Sequence, residues 1–280
     1  MDEKCLFLRC SHYLVMLLFG VTSVYAQQQS DSIRKKTATE IFLSQPNFSA
    51  YKDNYFITGV SLRDKLSKET SDIKYQISFK YLLSRKPLFD NVYSFITYTQ
   101  KSFWKVYEKS SPFEDINFNP TIGVIRPYTD KKNRIGYYSL MFEHESNGRD
   151  SLQSRSWNFL SFNWQGQISN RVVLKTRILV PFVSGDNPDL LEYEGFLEAG
   201  VSYTLIPKKL YAEFLLQKGS KLDWKGALQT QMVYRPFKSS NQYIFLQWYH
   251  GYAEGLLDYR KETSMIRLGI IIKPTFMNFY

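Results

Sequence analysis

Hydrophobic and polar residues alternate along most of the chain beyond residue 50. In residues 135–146, Leu140 and Phe142 share one face of a strand, because successive side chains point to opposite faces. Glu143 and Glu145 share the other face. Segments of this kind recur at regular intervals, and each is about long enough to cross a bilayer at a tilt. The alternation predicts twelve strands, near residues 54–62, 73–84, 92–104, 119–129, 134–146, 156–165, 171–183, 193–205, 209–217, 224–236, 241–253 and 263–276.

Short polar segments between the strands predict turns. Residues 147–151 read Asn-Gly-Arg-Asp-Ser, and Gly148 can adopt a backbone angle that other residues avoid. We therefore predict an antiparallel hairpin in which strand 156–165 returns beside strand 134–146. Further tight turns are predicted at residues 165–167, 207–209 and 238–241.

This hairpin brings three polar residues to one apolar face. His144 and Ser146 alternate in phase with Phe142, and Asn158 alternates in phase with Leu160. A serine, a histidine and an asparagine can act as nucleophile, base and orienting group. The asparagine oxygen can fix the imidazole tautomer, and it avoids a cost on the order of several kcal/mol for an aspartate charge near hydrocarbon. The other interpretation of His144 and Ser146 is a polar pair at a strand end.

Residues 1–26 predict a secretory signal segment. A positively charged start precedes an apolar core over residues 13–24, and Ala26 ends an acceptable cleavage site. Both cysteines, Cys5 and Cys10, lie in this segment, so the mature chain is expected to have neither disulfide nor thiol chemistry. A secreted chain of alternating strands is either a soluble all-β protein or an outer-membrane barrel.

Composition and charge narrow the choice of class and partner. Aromatic residues make up 17% of the 280 residues, which is typical of a barrel with aromatic girdles. The net charge of +10 is spread along the chain without a dense basic cluster, so no nucleic-acid partner is expected. Lysine and arginine in loops that face phosphorylated lipid head groups account for the charge equally well.

The segment from His144 to Asn158 resembles the active site of the outer-membrane phospholipase A family. It reads H-x-S-N-G, then five residues, then S-R-S-W-N. The resemblance implies an all-β fold, a transmembrane antiparallel β-barrel of about twelve strands in the outer membrane of a Gram-negative bacterium. Further matching blocks occur in the family's order at residues 98–104, 110–113, 186–189 and 251–259.

The same resemblance implies a reaction. The family hydrolyses acyl ester bonds of membrane phospholipids, with phospholipase A and lysophospholipase activity. By resemblance, Ser146 attacks the ester, His144 moves its proton and Asn158 orients His144. From the residues alone, Gly148 fits a turn and an oxyanion donor equally well, and the resemblance favours the oxyanion role.

Calcium and a second subunit are also implied by the resemblance. No EF-hand spacing is present. By resemblance, the positions that match the family's calcium ligands are the hydroxyl of Ser110 and the carbonyls of Arg149 and Ser154. Gln100 matches a glutamine that hydrogen-bonds across a homodimer interface. A lone amide on an apolar wall would lack partners, which favours pairing with a second copy.

The domain organisation expected from these patterns is a signal peptide over residues 1–26, a periplasmic arm over 27–50 and a barrel over 51–280. The arm is polar, without a strong period. His250 has no partner identifiable from the sequence and is expected to be structural or to face the barrel interior. Two alternatives remain open: a non-catalytic barrel, either a porin or a structural protein, and an esterase or lipase with a different lipid substrate.

Overall fold

The computed structural model describes residues 35–182, 187–237 and 241–274. The chain has two compact units, Met1–Lys36 and Thr37–Tyr280. The first lies almost wholly outside the described residues, as does the whole predicted signal segment. The second forms a β-barrel.

Thirteen strands are present in the described part of the chain. They are β1 Phe48–Ala50, β2 Asn54–Ser61, β3 Ser71–Leu82, β4 Tyr93–Trp104, β5 Phe113–Thr129, β6 Ile135–Ser146, β7 Ser156–Gln167, β8 Val172–Phe182, β9 Leu197–Ile206, β10 Leu210–Lys218, β11 Gly226–Tyr234, β12 Gln242–Gly251 and β13 Thr263–Ile272. Each of β2 to β12 pairs with the next strand in antiparallel register, and β13 pairs with β2 to close the ring. β1 pairs with β3 beyond the end of β2 and so lengthens the first barrel strand. The predicted twelve-stranded antiparallel barrel is confirmed.

Three sequence predictions need correction at their boundaries. β5 begins at Phe113 instead of near residue 119, because Asp115 and Asn117 also alternate and face a polar interior. β9 begins at Leu197 instead of near 193, because Leu191–Glu194 forms the short helix α2. Residues 165–167 do not form a turn.

The glycine in that mispredicted turn belongs inside β7. Gly166 lies opposite Gly136 on β6, and the ring of Tyr128 covers both. A Cβ on Gly166 would lie 2.5 Å from the hydroxyl oxygen of Tyr128. The glycine is therefore required for close approach of an aromatic ring across the strands. In the sequence alone, such a glycine cannot be distinguished from a glycine in a turn. The predicted turn at 207–209 is present, and most of 238–241 lies outside the described residues.

The two faces of the barrel differ in polarity. The outer face carries half-exposed apolar side chains such as Ile122, Leu140 and Leu268. The inner face is lined largely by charged and amide side chains around a cavity of about 370 Å³. An apolar exterior around a polar lumen is the pattern of a barrel that spans a membrane.

The lumen holds a buried network of charges centred on Arg267. Its guanidinium donates two hydrogen bonds of 2.7 Å to the carboxylate of Asp72 and one of 2.7 Å to Glu254. Glu254 also accepts from the Nζ of Lys74 at 2.9 Å, and Lys74 donates to Gln247 at 3.0 Å. Every member of the network is less than about a tenth exposed. Each buried charge therefore has an opposite charge and hydrogen bonds, as burial requires.

A short helix, α1 (Ala38–Ser44), packs within the predicted arm. Thr37 accepts a hydrogen bond from the Glu40 N–H, and the Glu40 carboxylate accepts one from the Thr37 N–H. These two bonds form a capping box, which the sequence analysis did not identify in this polar segment. Phe42 is buried against Tyr93, Phe95, Ile125 and Met141 of the barrel interior. None of the helices in the described ranges is long and apolar enough to span a membrane.

The Arg267 network generates a prediction about stability. Arg267→Met leaves Asp72 and Glu254 with fewer positive partners, and we expect the free energy of unfolding to fall by about 3–5 kcal/mol. Denaturant unfolding of the detergent- or lipid-embedded barrel measures the change. The matched control is Arg126→Met, which breaks an exposed pair with Asp90 and is expected to change stability by less than about 1 kcal/mol. Equal effects of the two variants would contradict the role given to the network.

Candidate active site

The antiparallel pairing of β6 and β7 places His144 directly opposite Asn158. The Nδ1 atom of His144 lies 3.0 Å from the Oδ1 atom of Asn158. Because an amide oxygen only accepts hydrogen bonds, this contact assigns the proton to Nδ1 and leaves Nε2 as an acceptor. The pairing and the shared face predicted from the sequence are both present.

Ser146 is the last residue of β6 and lies on the same outward face, two residues beyond His144. On its two sides it pairs with Phe118 of β5 and Ser156 of β7. Within the described residues no hydrogen bond joins Ser146 to His144. Hydrogen bonds between nucleophile and base are often long in substrate-free enzymes and shorten when substrate binds.

The surface around these residues is apolar. Phe142 precedes His144 on the outward face and contacts Phe182, with 6.1 Å between the ring centroids. Phe182 in turn pairs with Asn158 across β7 and β8. The histidine and asparagine are therefore half-buried polar groups in a lipid-facing wall. The hydrogen bond between them stabilises both side chains, because no water is present there to replace it.

The loop after Ser146 is shaped by Asn147, which the sequence analysis did not single out. The side chain is buried. Its Nδ2 donates to the carbonyl of Gln153 at 2.9 Å, and its Oδ1 accepts from the N–H groups of Arg155 at 3.0 Å and Arg149 at 3.3 Å. An asparagine beside a glycine reads as ordinary turn chemistry, so nothing in the sequence distinguished it.

Gly148 lies in this loop with φ of +63°, a backbone conformation that favours glycine. A Cβ there would also lie 3.0 Å from the ring of Phe118. The residue is exposed, and its N–H has no hydrogen-bond partner among the described residues. The structure thus supplies a free backbone donor two residues after Ser146.

Side chains in the lumen pack against the inner surface of the barrel wall at the site. We call residues 252–262, between β12 and β13, the plug segment. Leu256 of the plug packs with Trp157 and Phe159, the inward-facing neighbours of Asn158. The N–H of Leu256 donates to the side chain of Asn117 at 3.2 Å. Trp157 also donates to Glu145 at 3.1 Å, so Glu145 faces the lumen as its strand phase predicts.

A second loop supports the start of β7. The Oδ1 of Asn187, a buried side chain, accepts the N–H of Ser156 at 3.0 Å. Nearby, Arg260 of the plug donates to both oxygens of Asp189, at 2.7 and 2.8 Å. These hydrogen bonds hold the pKa of the Asp189 carboxyl well below its usual range, so the pair stays charged. Residues 187–189 and the plug therefore support the start of β7.

The three predicted calcium ligands lie in two loops. Arg149 and Ser154 belong to the loop that Asn147 shapes, and the Ser154 carbonyl accepts from the Nη1 of Arg155 at 2.7 Å. Ser110 is exposed in the loop between β4 and β5, with φ of +71°. No hydrogen bond joins Ser110 to the other loop among the described residues. Nor do those residues contain a group of three or more His, Cys, Asp or Glu that could hold a metal ion.

Gln100 faces outward on β4, as predicted, but its amide is not isolated. It accepts from the hydroxyl of Tyr98 and donates to the hydroxyl of Ser102, both at 3.1 Å. The expectation that a lone amide would lack partners was wrong, because residues i−2 and i+2 of a strand share its face. An amide has further donor and acceptor capacity beyond these two bonds.

His250 lies on the outer wall, so the suggestion that it lines the lumen was wrong. The alternation of β12 places Tyr249 inside and His250 outside. Its ring stacks on Trp248 with 5.9 Å between centroids, and its Nε2 lies 3.6 Å from Glu262.

These features define a class of protein: a membrane-spanning β-barrel that carries a histidine–asparagine pair and a serine on its lipid-facing wall. The family model for phospholipase A1 matches residues 27–272. The chain belongs to the phospholipase A1 family.

Relatives and solved structures agree with this assignment. A phospholipase A1 from Klebsiella pneumoniae is 29% identical over 212 residues, covering 73% of this chain and 71% of the relative. The phospholipase A1 of Escherichia coli strain K12 is 28% identical over the same length and coverage. The structure resembles an outer membrane phospholipase dimer with bound calcium from Salmonella typhi, with a TM-score of 0.73, 23% identity and coverage of 86% of this chain and 100% of that one. It also resembles outer membrane phospholipase A of E. coli, with a TM-score of 0.71, 24% identity and coverage of 81% and 99%.

The His144–Asn158 contact predicts a measurable tautomer. We expect nitrogen NMR of the refolded barrel to show the Nδ1–H tautomer of neutral His144, because it is the neutral tautomer that can donate to the amide oxygen of Asn158. In Asn158→Leu the contact is lost, and the Nε2–H form should become populated. His250 in the same spectrum is the internal control, since Asn158 does not touch it. An unchanged His144 signal in the variant would contradict the hydrogen bond.

Proposed function

We propose that this protein is an outer-membrane phospholipase that hydrolyses acyl ester bonds of phospholipids and lysophospholipids. One observation carries the proposal: the imidazole of His144 is held by Asn158 on the lipid-facing wall of a phospholipase A1 family member. Ser146, at the end of the same strand, is the nucleophile.

Each residue of the site has a defined role in acyl transfer. The Oγ of Ser146 attacks the ester carbonyl, and the Nε2 of His144 takes the hydroxyl proton and later gives it to the leaving alcohol. Asn158 keeps the other ring nitrogen protonated, so that Nε2 is free to act as the base. The N–H of Gly148 donates to the oxyanion, a contribution on the order of a hundredfold in rate for one donor.

The position of the site on the outer wall suits a bilayer substrate. Acyl chains can lie along Phe142 and Leu160 while the ester reaches Ser146 at the end of β6. A neutral asparagine suits this wall better than a carboxylate, because an unpaired charge facing lipid carries a large desolvation cost. The same wall holds a lysophospholipid by its remaining chain, which supports activity on both substrates.

Calcium fits the oxygen atoms near the site. The carbonyls of Ser154 and Leu152 already accept from the guanidinium of Arg155, at 2.7 and 3.0 Å, so calcium at Ser154 would replace this cationic partner. Hard divalent ions prefer such neutral oxygens together with hydroxyls and water. We assign the carbonyls of Arg149 and Ser154 and the hydroxyl of Ser110 as the protein ligands. Bound there, calcium supplies positive charge close to the oxyanion.

The proposed reaction has a direct test. In detergent micelles that contain phospholipid, the wild-type barrel with calcium is expected to release fatty acid. We expect Ser146→Ala to lower the rate by about three or more orders of magnitude, since loss of a hydrolase nucleophile has effects of this size. Chelation of calcium should abolish release by the wild type. Ser156→Ala, at the residue paired with Ser146, is the matched serine control.

Each other result of this test has a meaning. No release from the folded wild type with calcium would favour a non-catalytic barrel. Release from other esters but not from phospholipid would favour a different lipid substrate. Release that survives chelation would keep the serine mechanism and remove calcium from it.

We also propose that the active form is a homodimer joined through the outer wall around Gln100. The Salmonella typhi protein is a dimer with bound calcium, and in the present chain Tyr98, Gln100 and Ser102 form a polar row in that wall. Interhelical hydrogen bonds between polar side chains in membranes contribute about 0.6–2 kcal/mol each, and the same physics applies between two barrel walls.

The dimer proposal predicts the effect of one substitution. Gln100→Leu should weaken self-association by about three- to thirtyfold, because the amide is lost from both copies. Analytical ultracentrifugation in detergent with calcium and a substrate analogue measures the change. The matched control is Thr230→Leu, which alters an outward polar residue on the far side of the barrel. Equal weakening by both variants, or none by Gln100→Leu, argues against an interface at this row.

A further inference from the structure

The hydrogen-bond ladder between β5 and β6 is interrupted beside the candidate base. Phe118 pairs with Ser146, and pairing resumes only where Thr121 meets Glu143. The same register would place Pro120 opposite His144. On its other side β5 pairs with β4 without a break through Pro120. The N–H of Asn147 bonds to the carbonyl of Arg155 on the β7 side, so the backbone groups of His144, three residues earlier, face β5. The missing bond is therefore the one from residue 120 to the carbonyl of His144.

Proline explains the gap. It has no N–H, so it cannot donate to the carbonyl of His144, as another residue at this position would. A closed barrel has no edge strand, and proline within a paired strand is otherwise confined to edges, first residues and bulges. In a membrane no water replaces the lost donor at the wall. The backbone carbonyl of His144 would be left without its ladder partner.

A side chain from the lumen takes the place of that donor. The Nδ2 of Asn119 lies 3.0 Å from the carbonyl oxygen of His144. Asn119 is 7% exposed and is the residue immediately before Pro120. Its inward orientation follows from the strand alternation that turns Pro120 outward. The sequence Asn-Pro thus encodes both the loss of a backbone donor and its replacement.

We propose that Asn119 is a positioning residue, which holds the backbone of His144 in the ladder from inside the barrel. His144 is then fixed at two points, by Asn158 at its ring and by Asn119 at its carbonyl. The inference rests on the proposed function, since it gives His144 a catalytic role. Asn119 lies behind the wall and is not expected to touch substrate.

The first test removes the donor. Asn119→Leu is expected to lower kcat for phospholipid hydrolysis by about ten- to a hundredfold, the effect of a displacement of about 1 Å in a catalytic group. KM should stay within about twofold, because the lipid-facing wall is unchanged. The matched control is Asn163→Leu, which removes another lumen amide that donates to Ser161 at 3.0 Å and lies away from His144.

The second test restores a backbone donor. Pro120→Val supplies an N–H at the position opposite His144. The double variant Asn119→Leu/Pro120→Val is therefore expected to recover kcat to within about threefold of wild type. A merely structural loss in the lumen would not be repaired by a change on the outer face. The electrophoretic mobility of unheated samples confirms that each variant has formed a barrel.

Three results would overturn the proposal: wild-type kcat in Asn119→Leu, no recovery in the double variant, or an equal loss of kcat in Asn163→Leu. Failure of the proposed function is recognised separately. If His144→Ala keeps full activity, His144 is not the base and the catalytic interpretation itself fails. If His144→Ala is inactive and Asn119→Leu is normal, only the role of Asn119 is wrong.

Discussion

The structure depends on one constraint: a backbone that crosses a membrane must satisfy its own hydrogen bonds. Closure of β13 onto β2 meets this requirement for the whole ring. Once the ring is closed, the alternation of the strands determines which side chains face lipid and which face the lumen. Apolar side chains face lipid, and the interior becomes the only place for buried charge. The Arg267 network and the lumen amides exist because the exterior cannot hold them.

The same constraint acts at the candidate site, where polar side chains face lipid and one backbone hydrogen bond of the barrel is missing. Two neighbouring strands bring His144 and Asn158 together on the lipid-facing wall, where the two side chains hydrogen-bond to each other. On the third strand, Pro120 removes a backbone donor and Asn119 supplies a side-chain donor in its place. An imidazole held in this way loses little freedom when a lipid ester arrives, which is what catalysis by fixed groups requires.

Much of the fold could be predicted from the sequence, because period-two alternation is a direct record of which side each residue faces. The phases of His144, Ser146, Asn158 and Gln100 follow from it. Gly166 was misread because a glycine that accommodates Tyr128 across strands has the same local signature as a turn. Alternation shows which face of a strand each residue occupies, but it does not show which residues of other segments it contacts.

For that reason the sequence could not reveal supporting contacts over long separations. Asn187 meets Ser156, and Asn117 meets Leu256, only after the ring has closed. The short helix α1 was hidden in a segment with polar composition, although its capping box was present in the sequence as Thr37 and Glu40.

The plug segment has a consequence for the cell as well as for the site. Leu256 and its neighbours pack inside one end of the ring, and Phe42 packs inside the other. Between them, paired charges occupy the interior. In the described part of the chain the path through the ring is therefore narrowed at both ends, and we expect this barrel to conduct solutes far less freely than an open pore.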